Sequence, residues 1–191
     1  MLCVLVIDES RSRAGEICAG LALAGYQVAA ILAGSENLSA EVEKLQPDVI
    51  LIDTDSPSRD TLENLAAMHK NMPRPVVIFT QEDGQAMIRD AVRAGVSAYV
   101  VDGLDPKRIK PIIEVARAHF EDRQALRREI DEVSRKLSDR KLLDKAKGVP
   151  MKARGIDEDA AHHAMRKLAM ERGQTMAKVA RDVIDMARIL L

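Results

Sequence analysis

Acidic residues follow two short apolar runs of the sequence, and they are the residues best suited to chemistry. Asp8 and Glu9 come directly after Leu2–Ile7, and Asp53 comes after Asp48–Ile52. Carboxylate oxygens are the ligands that magnesium prefers, and a carboxylate beside that ion can attack phosphorus. These residues therefore predict a magnesium-binding, phosphoryl-accepting pocket if they meet. The alternative is that they cap helix N-termini, where negative charge is favoured.

Alternating strands and helices must position these carboxylates. The predicted strands are Leu2–Ile7, Gln27–Leu32, Asp48–Ile52, Val76–Phe79 and Ala98–Val101. The predicted helices between them are Ser12–Ala24, Ser39–Leu45, Thr61–His69 and Gly84–Arg93. This order predicts an α/β fold with a doubly wound, five-stranded parallel sheet. Because polar residues at the carboxyl ends of such strands share one sheet edge, the three acidic residues are expected to converge there.

The composition excludes several functions. Aromatic residues make up 2% of the 191 residues and there is no Trp, too few for the stacking surfaces that hold single-stranded nucleic acid. Two cysteines without zinc-ligand spacing predict neither a zinc site nor a disulfide framework. The sequence has no nucleotide-binding glycine loop, so an enzyme is not expected. Without a long apolar run or a basic leader, we expect a cytoplasmic protein that does not enter a membrane.

Charge is distributed unevenly along the chain. Up to residue 105 there are 8 Lys and Arg against 16 Asp and Glu, and from Pro106 onward there are 21 against 14. The two parts therefore carry net charges of −8 and +7. A basic helical part attracts nucleic acid, although a solvated basic face without a partner would have the same composition.

A long helix is predicted between the two parts, because no Gly or Pro occurs from Ile112 to Lys147. We assign residues 112–140 to this connector. Four apolar residues in it follow the alternating four-and-three spacing of a coiled-coil seam: Leu126, Ile130, Val133 and Leu137. The spacing favours a homodimer, and the alternative is a helix that packs on its own first domain.

The last part, residues 137–191, is predicted to be a small three-helix bundle. Its first helix contains Gly148 and Pro150, and proline inside a helix costs about 3 kcal/mol. We therefore expect a bend or break between Gly148 and Met151. A second helix should begin after Asp157, and a third should begin after Thr175.

The first 120 residues resemble the receiver domain of bacterial response regulators, which has a flavodoxin-like fold. The segments VLVIDES, DVILIDTDSP, VVIFT and AGVSAYVV carry the resemblance. It implies that Asp53 accepts a phosphoryl group and that Asp8, Glu9 and Asp53 hold magnesium, with no other cofactor required. It also implies that Thr80 contacts the phosphoryl group and that Tyr99 is an aromatic switch.

One position departs from that family. Receivers carry Lys and Pro after the fifth strand, whereas this chain has Asp102 and Gly103. The family's lysine pairs with the acceptor carboxylate, and an aspartate in its place repels it. This favours control by protein binding over control by phosphorylation.

The last part resembles the ANTAR module, a three-helix RNA-binding domain of transcription antiterminators. The resemblance is most specific at Ala146, Lys147, Gly148 and Met151, followed by spaced alanines and Arg166. The whole chain is similar to antiterminators of the NasT and AmiR type. That implies binding to stem-loop leader RNA of nitrate or amide assimilation genes, under control of a ligand-sensing partner protein.

Basic residues around the first helix and along the second are the expected RNA contacts, because they can meet phosphates or exposed bases. They are Lys141, Lys145, Lys147, Lys152, Arg154, Arg166, Lys167 and Arg172. The alternative function is a phosphorylation-controlled, DNA-binding response regulator. It is less favoured because the last part lacks a convincing helix-turn-helix.

Overall fold

The computed structural model describes residues 1–9, 13–101, 105 and 107–190, with side chains up to residue 188. The chain divides into two compact units, Met1–Gln124 and Ala125–Leu191. We call them the receiver unit and the helical unit, and each is described by itself.

The receiver unit alternates strands with helices. The strands are β1 (Cys3–Asp8), β2 (Gln27–Leu32), β3 (Val49–Asp53), β4 (Val76–Thr80) and β5 (Ala98–Val101). The helices are α1 (Ala14–Leu23), α2 (Leu38–Leu45), α3 (Arg59–Asn71), α4 (Gln85–Arg93) and the start of α5 (Ile109–Arg154). All strand pairs are parallel, in the order β2-β1-β3-β4-β5. The predicted doubly wound α/β fold is confirmed.

Both faces of the sheet are buried, which explains the continuous apolar runs of its central strands. Successive side chains of a strand point to opposite faces. Along β3, Ile50 and Ile52 pack with α2, α3 and α4, whereas Val49 and Leu51 pack with α1 and the first turns of α5. This alternation fixes the register of the strands, and with it the position of the residue that ends each strand.

The helical unit is built from the later part of α5, α6 (Glu158–Arg172) and α7 (Met176–Leu190). Asp157 caps α6 by accepting a hydrogen bond from the Ala160 N–H at 2.7 Å. Small and flexible side chains from all three helices form the buried core: Ala146, Met165, Ala169, Val179, Ala180 and Ile184. The predicted three-helix bundle is confirmed.

Of the bend or break expected between Gly148 and Met151, the break is wrong. Helix α5 runs without interruption through Gly148 and Pro150 to Arg154, and Gly155 ends it in a left-handed conformation with φ of 64°. Proline removes one N–H donor from the helix, which is a limited loss four residues before its end. The fully buried Ala146, one turn earlier, anchors this segment in the core of the helical unit.

Within the residues that the structure describes, no helix is both long enough and apolar enough to cross a membrane.

Candidate functional site

The carboxyl edge of the sheet brings two of the predicted acidic residues side by side. Asp8 ends β1 and Asp53 ends β3, and the two are direct partners in the register of these neighbouring strands. Both are buried, with 1% and 0% of their surfaces exposed. Two buried carboxylates on adjacent strands repel each other and attract a positive charge.

Glu9, the third predicted member, has a different partner. Its carboxylate accepts a hydrogen bond of 2.8 Å from the Thr61 hydroxyl, in the first turn of α3. That turn is itself ordered by Ser58, whose side chain accepts from the Thr61 N–H and caps the helix. Glu9 therefore ties the loop after β1 to α3.

A residue that the sequence analysis did not single out supplies the positive charge. Arg13 immediately precedes α1, and its Nε lies 2.9 Å from Oδ2 of Asp53. A terminal guanidinium nitrogen lies 3.3 Å from Oδ1 of Asp55, in the loop after β3. The available signal was composition, because Arg11 and Arg13 are the only Lys or Arg residues before Lys44.

Burial raises the pKa of the Asp53 carboxyl above its ordinary value, because desolvation disfavours the charged form. The neighbouring charges of Asp8 and Asp55 act in the same direction. Arg13 opposes them through its charge and its contact with the carboxylate, but desolvation is the largest effect.

The arrangement does not fit the predicted magnesium site. Within the described part of the chain, no group of three His, Cys, Asp or Glu residues is arranged to hold a metal ion. Glu9 is turned toward Thr61, and Arg13 already places a cation against Asp53. Asp102 and Gly103, which stand where the family has Lys and Pro, lie outside the described residues.

Thr80 and Tyr99, the predicted switch residues, lie close to the same edge. The buried Thr80 hydroxyl donates to the Asp55 carbonyl at 2.8 Å and accepts from the Glu82 N–H at 3.1 Å. The Tyr99 hydroxyl donates to the Glu82 carbonyl at 2.9 Å. Burial raises the pKa of Tyr99, so the phenol remains a donor. Thr80 therefore links the loops that follow β3 and β4, and Tyr99 binds the loop that follows β4.

The helical unit carries the predicted RNA contacts, and they differ in accessibility. Seven are exposed: Lys141, Lys145, Lys152, Arg154, Arg166, Lys167 and Arg172. The side chain of Lys147 is only 14% exposed and pairs with Asp144 at 2.8 Å and with Glu158. Its bonds to these two carboxylates raise the pKa of Lys147. Lys147 thus links α5 to the first turn of α6.

A cleft of about 680 Å³ lies between the end of α5 and α7, and we call it the basic cleft. Three cations line the cleft: Lys145, Lys152 and Arg188. The other lining residues are apolar or small: Gly148, Val149, Ala153, Ile184 and Ala187. Among the described residues, no carboxylate lies within ion-pair distance of the Lys145 or Lys152 amines. Arg188 was not predicted, because the contact between α5 and α7 is needed to bring it to the cleft.

The predicted seam lies on an exposed face of α5 in the helical unit. Leu126, Ile130, Val133 and Leu137 are 54% to 59% exposed. Four half-exposed branched side chains on one helix face form an apolar stripe that the single chain does not cover.

A receiver-type α/β unit with carboxylates at the sheet edge, followed by a basic helical unit, defines a two-domain regulator. Residues 4–114 match the response regulator receiver domain, and residues 131–184 match the ANTAR domain. The chain belongs to the response regulator receiver family and carries an ANTAR domain. Both family resemblances of the sequence are thereby confirmed.

The chain is similar to known proteins over all or part of its length. The transcriptional regulatory protein PdtaR of Mycobacterium tuberculosis is 26% identical over 95% of this chain and 89% of its own length. The nitrate regulatory protein of Klebsiella oxytoca is 33% identical over 39% of this chain and 19% of its own. A CheY-like receiver domain from Methanospirillum hungatei has the same fold, with a TM-score of 0.56 and 21% identity. The match covers 64% of this chain and 98% of that domain.

Proposed function

We propose that this protein is a transcription antiterminator that binds stem-loop leader RNA through its helical unit. Its receiver unit is controlled by a ligand-sensing partner protein. The basic cleft is the observation that carries the proposal, because it combines two exposed lysines, Lys145 and Lys152, with apolar lining residues, most of them within the ANTAR domain. Cations on such a surface meet phosphates, and the apolar floor suits the face of an unpaired base.

RNA with an exposed loop fits this surface better than duplex DNA does. The chain has no Trp and only two Tyr and two Phe, so bases must be held by aliphatic groups, guanidinium or lysine side chains. A cleft that accepts a splayed base requires an unpaired nucleotide, which a stem-loop offers and an intact duplex does not.

Control through a protein partner is supported by the carboxyl edge of the sheet around Asp8, Asp53 and Asp55, which we call the acidic edge. Asp53 is fully buried and paired with Arg13. The sequence has Asp102 where the family places a lysine. These features favour a partner that binds the receiver unit without a phosphoryl group.

A parallel or antiparallel homodimer through the α5 stripe is part of the proposal. Leu126, Ile130, Val133 and Leu137 keep the four-and-three spacing that packs against a second copy, and each is more than half exposed in one chain. The seam is short, so the dimer is expected to be reversible at low concentration.

The test is a salt-titrated binding measurement with the full chain. Tandem stem-loop leader RNA is compared with a DNA duplex of matched sequence. We expect tighter binding to the RNA and a loss of about tenfold or more when Lys145 and Lys152 are both replaced by Ala. The control is Lys136→Ala, on α5 but paired with Glu132 at 2.7 Å.

Two results would contradict the proposal. Equal or tighter binding to duplex DNA would favour the DNA-binding response regulator. Binding that is unaffected by the double substitution would remove the basic cleft from the RNA surface.

A further inference from the structure

Arg13 occupies a position where a cation is unfavourable unless something nearby compensates it. It directly precedes α1, and the N-terminus of a helix carries partial positive charge. The compensation comes from Asp53 and Asp55, with which the guanidinium forms ion pairs at 2.9 Å and 3.3 Å. The acidic edge therefore explains the position of Arg13.

The geometry of α1 allows this reach. Arg13 lies one residue before α1, and its long side chain reaches Asp53 at the end of β3. The Arg13 side chain is 27% exposed, whereas Asp53 is fully buried. The guanidinium thus covers the buried carboxylate from the solvent side.

A divalent cation at the same carboxylate would compete with this side chain. Mg²⁺ sheds its water reluctantly and needs several oxygen ligands at octahedral positions. Asp53 faces Arg13, and Glu9 is held by Thr61. A guanidinium remains charged at all physiological pH values and repels an ion bound beside it.

We propose that Arg13 is the resident cation of the acidic edge and takes the place of Mg²⁺. The receiver unit then holds its buried carboxylates without a metal ion, and Arg13 is the residue that excludes it. The inference concerns the charge balance of the receiver unit, and it does not depend on the RNA-binding function proposed above.

The test is calorimetric melting of the full chain, treated first with a chelator, at zero and 10 mM MgCl₂. For the native chain we expect no change in the receiver transition. For Arg13→Ala we expect an upward shift of about 3 °C or more, because a ligand that binds only the folded state stabilises it. Isothermal titration with MgCl₂ should show binding only in the variant.

Further variants separate charge from packing. Arg13→Lys should stay insensitive to Mg²⁺ because it keeps a cation, and Arg59→Ala, an exposed arginine paired with Glu63, should behave as the native chain. Adding Asp8→Asn to Arg13→Ala should abolish the new response. If Arg13→Ala does not fold, Arg13→Gln takes its place.

Either of two outcomes overturns the proposal. The first is a native chain that binds Mg²⁺ with the affinity of Arg13→Ala. The second is a folded variant without the arginine that gains no response to Mg²⁺.

Discussion

The acidic edge of the receiver unit and the basic cleft of the helical unit differ in whether their charged side chains are paired within the chain. At the acidic edge, Asp8 and Asp53 are buried, and Arg13 covers Asp53. At the basic cleft, Lys145 and Lys152 are exposed, and no carboxylate of the described residues compensates them. In the first arrangement Asp53 has a cationic partner within the chain, whereas the second arrangement leaves its cations available to another molecule.

Accessibility, more than residue type, therefore distinguishes charges that are paired within the chain from charges that remain available. Lys147 shows this within the helical unit, because it lies between Lys145 and Lys152 in sequence yet pairs with Asp144 and Glu158. A buried ion pair broken on one side leaves an uncompensated charge, whereas an exposed lysine can be removed at little cost to folding.

The exposed apolar stripe of α5 leaves hydrophobic groups, rather than charges, available to another molecule. Replacing Ile130 and Val133 by Asp should raise the dimer dissociation constant at least about 100-fold, since each apolar side chain buried in the seam contributes about 1.5 kcal/mol or more. Sedimentation equilibrium across a concentration series measures this. Arg128→Asp, a charge change two residues before Ile130, is the control. A native chain that is monomeric throughout would refute the seam.

The ion pair at the acidic edge gives the next effect. Arg13→Ala should lower the free energy of unfolding of the receiver unit by about 2 kcal/mol, below the 3 to 5 kcal/mol of a fully buried pair because Arg13 is partly exposed. Chemical denaturation measures this. In the background of Asp53→Asn, the same substitution should cost much less, because no buried charge remains. Equal costs in both backgrounds would show that Arg13 acts through packing alone.

A smaller effect concerns pH. Burial raises the folded-state pKa of Asp53 above its unfolded value, so its charged form destabilises the folded receiver unit above that pKa. Asp53→Asn should therefore be more stable than the native chain at pH 7. The difference in the free energy of unfolding between the two chains should shrink as pH falls through the folded-state pKa of Asp53. The protonated native residue then no longer carries the buried charge. Denaturation of both chains between pH 4 and 7 tests this. A stability difference that grows toward low pH would contradict the upward shift of the Asp53 pKa.

The fold was predictable from sequence because both faces of β1, β3 and β4 are apolar, which sets strand type and order. The pairing of Asp8 with Asp53 followed from the same strands. Arg13 was missed because its partner is 40 residues away, and only the packed sheet brings the two together. Pro150 was misjudged because local propensity omits the buried Ala146 and the packing around it, which keep α5 continuous.

Lys145 and Lys147 differ in their surroundings, although sequence alone could not distinguish them. Lys145→Ala should lower the slope of log affinity against log salt concentration by about 1, because an exposed lysine at a phosphate releases one counterion. Lys147→Ala should leave that slope unchanged, since Asp144 and Glu158 already compensate its charge and raise its pKa. Salt-titrated binding to the stem-loop RNA measures both slopes. Equal losses would mean that RNA draws Lys147 away from its carboxylates, and the distinction between paired and available cations would then fail inside the helical unit.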